Sequence, residues 1–283
     1  MSISASQVKE LRERTGLGMM ECKKALTEAA GDIEAAITNL RKSSGLKAAK
    51  KAGRTAAEGL VAVHTDGGNG VMVEVNCETD FVARDDSFAA FTQQVLAAAA
   101  ANPDAGVADL MQGDMDKART ELVQRIGENI SLRRVVRIAS GFVTSYVHTN
   151  NRIGVLVGLA SANEALGRDL AMHIAASNPQ ARSPEEVPAA IINKEKELYA
   201  AQAAESGKPA QIIEKMVSGR INKLLAEISL TKQPFVKDTD LSIEDLLKKH
   251  GNEVTAYARY EVGEGVEKDT VDFATEVRQQ AGL

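Results

Sequence analysis

The sequence has no tryptophan, and its four tyrosines and six phenylalanines make aromatics only 4% of 283 residues. Its two cysteines, Cys22 and Cys77, are far apart and too few for a disulfide framework or a zinc site. No apolar run approaches the ~18 residues that a membrane span needs, and the N-terminus lacks a signal peptide's apolar core. A cytoplasmic thiol protein is the expectation. The Walker-type G-x-x-x-x-G-K-[ST], G-x-S-x-G, H-E-x-x-H and C-x-x-C patterns are all missing. Histidines 64, 148, 173 and 250 show no short metal-ligand spacing. Neither catalytic residues, a metal nor a cofactor is expected; His173 reads as a partly buried helix residue and Cys22 as a plain thiol.

What is present is aliphatic and charged: 44% hydrophobic, 26% Asp, Glu, Lys and Arg, and rich in alanine. At ~150 residues per domain the length suggests about two domains in a helix-rich globular fold. The net charge of -5 hides a division: residues 1–54 hold eleven Lys/Arg against six Asp/Glu, a net of +5, leaving -10 on the rest. Arg41, Lys42, Lys47, Lys50, Lys51 and Arg54 form a run without an acid. It reads as a solvated linker or as a nucleic-acid adaptor surface, with Arg133, Arg134 and Arg137 as further contacts; no aromatics are interleaved for base stacking.

Three short helices are expected in the first forty residues. Ser4 and Gln7 form a capping box, Val8 and Leu11 share a face, and Gly16 stops the first helix. The second runs through Met20, Cys22 and Leu26; Asp32 caps a third with an Ile33, Ala36, Ile37, Leu40 stripe. So small a domain suits docking better than catalysis. Residues 60–64 and 71–75 then read as strands of a hairpin turning at Gly67-Gly68. A helix through Phe88, Phe91, Val95 and Leu96 follows, capped by Asp86 or Ser87, then one through Leu122, Val123 and Ile126, and a strand over 130–138.

The pattern recurs. His64-Thr65-Asp66 with Gly70-Val71-Met72-Val73 is matched 84 residues later by His148-Thr149-Asn150 with Gly154-Val155-Leu156-Val157. Ile130-Ser131-Leu132 is echoed by Ile228-Ser229-Leu230, which argues for a duplicated α/β subdomain. The second copy is interrupted. Ser183-Pro184-Glu185-Glu186 is a helix start, a break falls at Ser206-Gly207-Lys208-Pro209, and a return helix presents Ile213, Met216, Val217, Ile221 and Leu224. A strand pair over 255–262 and a last helix around Phe273 and Val277 end the chain.

One loop stands apart. In Cys77-Glu78-Thr79-Asp80-Phe81-Val82-Ala83-Arg84-Asp85-Asp86, a scarce phenylalanine sits among acids. Either Phe81 packs under the next helix while Thr79 or Asp80 caps a turn, or it is an exposed anchor for a partner pocket. Composition does not separate the two.

At these residues the chain resembles bacterial elongation factor Ts. Val8-Lys9-Glu10-Leu11-Arg12-Glu13-Arg14-Thr15-Gly16, Gly18-Met19-Met20 and Cys22-Lys23-Lys24-Ala25-Leu26 are similar to that family's opening, and Asn76-Cys77-Glu78-Thr79-Asp80-Phe81-Val82 to its central signature. Residues 173–177 and 260–265 resemble further segments, so the likeness spans essentially the whole chain. It implies an α+β, helix-rich architecture. A UBA-like three-helix domain with a basic linker would occupy 1–54. Two related core subdomains would take 55–140, and 141–179 with 229–263. A dimerisation-type helical hairpin would be inserted at 180–228, and a C-terminal helical module would fill 264–283.

The implied function is non-catalytic: guanine nucleotide exchange on elongation factor Tu, bound with GDP or nucleotide-free. Thr79, Asp80, Phe81 and Val82 match the segment associated with magnesium displacement in that GTPase. Arg12, Met19, Met20 and Lys23 match the N-terminal docking segment, and His148 a partner-facing histidine of the second subdomain. Neither membrane nor direct nucleic-acid contact is implied; a homodimer or 2:2 assembly is left open.

Overall fold

The computed structural model describes residues 3–205 and 208–267. They form a mixed helix-and-sheet chain that divides into two compact units, residues 3–62, 73–135 and 261–267, and residues 63–72, 136–205 and 208–260. No helix among the described residues is long and apolar enough to cross a membrane.

The first unit opens with α1 (Ala5–Thr15), α2 (Met19–Glu28) and α3 (Ile33–Lys51). The capping box forms: Ser4 Oγ accepts from the Gln7 N–H at 3.2 Å, and Gln7 Oε1 from the Ser4 N–H at 3.0 Å. Gly16 ends α1 in the left-handed region at φ 68°, where glycine has no side-chain penalty. Leu11, Cys22, Leu26 and Ala36 are fully buried together, each leucine worth roughly 1.5–3 kcal/mol of burial. The basic stretch expected as a solvated linker is helical as far as Lys51. Ser44 and Ala48 extend the buried row begun by Ala36 and Leu40, and α3 packs on a later helix of the same unit. Small residues on the inner face made that stripe invisible to an apolar count.

Strands β1 (Glu58–Asp66) and β2 (Asn69–Cys77) flank the Gly67-Gly68 turn. Helices α4 (Asp80–Ala83), α5 (Asp86–Ala101), α6 (Val107–Leu110) and α7 (Asp114–Ile126) follow, then β3 (Ser131–Ala139), giving the sheet order β1-β2-β3. The α5 cap is Asp85, one residue before the expected pair, because the chain leaves α4 directly into it. Its carboxylate accepts from the Ser87 N–H at 2.8 Å and the Phe88 N–H at 3.3 Å. Hydrogen bonds from Ser87, the hydroxyl first, hold that carboxyl below the usual carboxylate range.

The second unit contains β4 (Phe142–Val147) and β5 (Ile153–Leu159), antiparallel with Phe142 opposite Leu159, and α8 (Glu164–Ser177). Gly167 lets α8 approach β4, since a Cβ there would lie 2.3 Å from a Thr144 methyl. The expected helix start at 183–186 is only a 3₁₀ turn. Pro188 holds Val187 extended, and α9 (Ala189–Ala204) begins after it. Return helix α10 (Ala210–Ile228) packs on α9, with Arg220 Nη1 donating to Gln202 Oε1 at 2.8 Å. Ile221 is buried, Ile213, Met216, Val217 and Leu224 are half-buried, and Ile191, Leu198 and Ile212 stay exposed.

Strands β6 (Pro234–Phe235) and β7 (Asp238–Ser242), helix α11 (Ile243–Lys249) and strand β8 (Val254–Glu261) complete the unit, with sheet order β4-β5-β8. The strand pair expected at 255–262 is therefore one strand, paired to β5. In both three-stranded sheets a hairpin's second strand lies between its first and a later strand. The echo at Ile228-Ser229-Leu230 does not extend to structure: Ser131 opens β3, whereas Ser229 caps α10 and bridges Ala181 beneath the α9–α10 hairpin. The helix expected around Phe273 and Val277 lies outside the described residues.

Candidate functional site

The acidic loop becomes a single helical turn held from below. Thr79 is the N-cap of α4, its Oγ1 accepting from the Val82 N–H at 3.4 Å. Val82 is buried, and neighbouring Phe81, turned about 100° around the helix axis, is 79% exposed. Phe81 therefore does not pack under the next helix: Val82, Phe88 and Phe91 take the buried positions instead. Asp80 is half-buried and pairs with Arg84 at 2.9 Å.

The turn is fixed by residues about fifty positions away. Glu128 Oε1 accepts the Thr79 hydroxyl at 2.6 Å, and Oε2 accepts the Glu78 and Thr79 N–H groups, each at 3.0 Å. Glu78 answers by accepting from the Asn129 N–H at 2.6 Å. Asn129 Nδ2 donates to the carbonyls of Ala52 at 3.3 Å and Arg54 at 2.9 Å, just past the end of α3. The Cys77 thiol donates to the Thr79 carbonyl at 3.2 Å. Glu78, Arg84, Glu128 and Asn129 were absent from the expected site. The Thr79–Glu128 pairing is tertiary, and only the Gly127 break between α7 and β3 hints at a turn there.

Arg12, Met19, Met20 and Lys23 all lie exposed on α1 and α2; Met19 is 60% and Met20 74% exposed. They sit in the same compact unit as residues 79–82. Between Met20 and the buried Cys22, Glu21 ties α2 to its neighbours through Lys47 of α3 and Gln124 of α7, the latter at 2.7 Å. Burial pushes the Glu21 carboxyl up, but those two hydrogen bonds and the nearby lysine charges outweigh it and hold it below the usual range. His148 belongs to the other unit, exposed in the turn after β4, with Tyr146 Oη 3.0 Å from its Nδ1.

The basic side chains proposed for nucleic acid are largely engaged within the fold. Arg41 pairs with Glu121, Lys47 with Glu21, Arg54 with Glu78, and Lys51 donates to the Gly127 carbonyl. Arg133 and Arg134 converge on the fully buried Glu74, which also accepts from the Gly263 N–H at 2.9 Å. Desolvation raises the Glu74 carboxyl, yet those three donors overcome it and keep it below the ordinary range.

Among the described residues no cluster of His, Cys, Asp and Glu could hold a metal ion. A cavity of about 560 Å3 is lined by Arg14, Leu40, Arg41, Phe91, Glu121 and Arg125 among others, and none of the expected site residues reaches it. The thiols of Cys22 and Cys77 are buried and outside any disulfide. The exposed elements are an aromatic ring on a clamped turn and two methionines at the start of a short helix.

Comparison with known proteins places the chain among relatives along nearly its whole length. A family model described as Elongation factor TS matches residues 78–264. A Hahella chejuensis protein named Elongation factor Ts is 60% identical over 281 residues, covering 99% of this chain and 98% of its own. Proteins of that name from Marinobacter nauticus and Teredinibacter turnerae are 56% and 58% identical, with 99% of this chain and 98% and 97% of theirs covered.

Proposed function

Since the chain belongs to the elongation factor Ts family, and so to the translation elongation factors, we propose that it is a guanine nucleotide exchange factor for elongation factor Tu. It binds the GDP complex, disturbs the ligation of magnesium and phosphate, and leaves the GTPase free to take up GTP. It performs no bond chemistry of its own.

The observation that carries this reading is Phe81, exposed on a turn that three hydrogen bonds hold in place. GDP in a GTPase is held through its phosphates and a magnesium ion that demands near-octahedral oxygen ligation. A ring inserted between partner helices shifts those ligands, and the octahedron tolerates little displacement. Phe81 is the wedge. Asp80, whose present partner is an exposed arginine, bonds the displaced partner segment. Thr79 and Val82 seat the turn.

The exposed Arg12, Met19, Met20 and Lys23 dock a UBA-like N-terminal module, residues 1–54, on the nucleotide-binding domain of the GTPase. His148 meets the partner from the second unit. The shared strand order of the two three-stranded sheets supports a core of two related subdomains. The hairpin at 180–228, with Ile191, Leu198 and Ile212 exposed, is of dimerisation type. The C-terminal module, 264–283, reaches the same partner. The protein works in the cytoplasm, where its partner does.

Coupling between two ligands is reciprocal: the factor by which this protein weakens GDP binding is the factor by which GDP weakens its own. A tenfold to hundredfold effect needs only ~1.4–2.7 kcal/mol of differential contact. The cellular GTP to GDP ratio then sets direction. The nucleic-acid reading requires free cations, and the basic run spends most of its own on internal partners.

The test is release of fluorescent GDP from purified elongation factor Tu. Sub-stoichiometric addition of this protein is expected to speed release catalytically, and a rate indistinguishable from spontaneous release would overturn the proposal.

A further inference from the structure

We infer that Glu128 is the positioning residue of the exchange site: its carboxylate, fifty positions from the turn, sets the direction in which Phe81 is presented. This rests on the exchange reading above and adds a residue that acts through Glu78 and Thr79.

The turn has little to orient itself. Helix α4 is four residues long, and a helix that short has no independent stability in water. Phe81 is exposed, so its own packing does not fix it, and of the turn's four side chains only Val82 is buried. The Thr79 cap closes the turn locally, but a cap fixes helical shape and not the direction in which the helix points.

Direction comes from Glu128. Its two oxygens take three donors from two consecutive residues, the Glu78 N–H, the Thr79 N–H and the Thr79 hydroxyl, at 2.6–3.0 Å. Bonds to an ionised acceptor are about twice as strong as neutral ones, and three from one carboxylate define an orientation. The Thr79 hydroxyl donates to Glu128 and accepts from Val82, so clamp and cap share one group. Glu128 is itself seated, because Asn129 bonds Glu78 and the chain beyond α3. A wedge that meets its partner already ordered avoids the entropy of ordering it on contact.

The absence of tryptophan supplies the probe: Phe81→Trp introduces the only indole of the chain. In the full-length protein, Glu128→Ala in the Phe81→Trp background is expected to lower the anisotropy of that indole. In the wild-type background it exposes the Glu78 and Thr79 amides to faster hydrogen exchange, while amides of β5 and α8 keep their protection. Stimulated GDP release from elongation factor Tu slows by about tenfold or more, as loss of charge-assisted bonds implies. Glu128→Gln, which keeps an acceptor for the two amides, restores most of the rate. Adding Phe81→Ala to Glu128→Ala costs little more than either alone, because both remove the same presented ring.

Unchanged anisotropy and amide exchange in Glu128→Ala overturn the proposal, as does full additivity of the two substitutions. Should Glu128→Ala fail to fold, Thr79→Val removes the shared hydroxyl from the other side and is expected to loosen the turn in the same way; an indole that stays rigid there overturns the proposal equally. If wild-type protein does not stimulate release at all, the exchange reading fails, and the anisotropy and amide measurements still decide whether Glu128 orders the turn.

Discussion

Asp80 and Arg84 form an ion pair at 2.9 Å on the exposed side of the turn that carries Phe81. Arg84 is well exposed and Asp80 about half so, and such surface pairs contribute about 0–1 kcal/mol. Asp80 is thus held loosely, and exchanging Arg84 for a partner group costs the fold almost nothing. Asp80→Asn is expected to leave stability within about 0.5 kcal/mol of wild type, while slowing stimulated GDP release roughly tenfold. Thermal unfolding and stopped-flow release on the same preparation check this; a large loss of stability, or an unchanged rate, contradicts it.

Met19 and Met20 open α2 with their side chains in solvent, whereas Cys22, Ala25 and Leu26 of the same helix are buried. The docking role proposed for them therefore separates cleanly from the core. Replacing either by alanine is expected to weaken binding to elongation factor Tu by ~1–2 kcal/mol with no change in melting temperature. Calorimetric titration gives the affinity, and equal affinities for wild type and the double substitution would remove the N-terminal helices from the interface.

His173 supplies a pH dependence whose sign follows from its bonds. The fully buried ring has Gln233 Oε1 2.9 Å from Nε2, and Nδ1 accepts from the Val236 N–H at 3.3 Å. The neutral tautomer is satisfied at both nitrogens, and a proton on Nδ1 would confront an N–H donor. Burial, opposed by the Gln233 bond, lowers the His173 pKa from the model-compound value of 6.5. A depressed histidine stabilises the fold above the unfolded value and loses that stability as pH falls below it. The unfolding free energy from denaturant titration is thus expected to hold from pH 8 to about 6.5 and then to decline, by up to about 1.4 kcal/mol per pH unit. His173→Gln should flatten the part of the decline that this ring causes; parallel curves for the two proteins contradict the assignment.

Local signals were legible and tertiary ones were not. The Ser4–Gln7 box, the Gly16 stop, the Asp32 cap and the hairpin at Gly67-Gly68 each depend on residues within a few positions of one another, and each forms. The length of α3 was hidden because Ser44 and Ala48 bury without being apolar markers. Ser183-Pro184-Glu185-Glu186 carried every sign of a helix start, yet Pro188 constrains the residue before it and delays α9. For Phe81 the sequence left burial and exposure both open, since both place the same residues around it. Which side of α4 faces inward is decided by contacts with α5 and by Glu128. The resemblance supplied the expected site residues and passed over Glu128, whose contacts exist only once the turn before β3 is folded against Thr79.

The central claim is that the exposed ring of Phe81 drives nucleotide release, and the measurement closest to it compares wild type with Phe81→Ala. At protein concentrations saturating for elongation factor Tu, the release rate of labelled GDP is expected to fall at least about tenfold in the variant, as for an interfacial aromatic hot spot, with its melting temperature unchanged. Equal saturating rates for the two proteins would contradict the account.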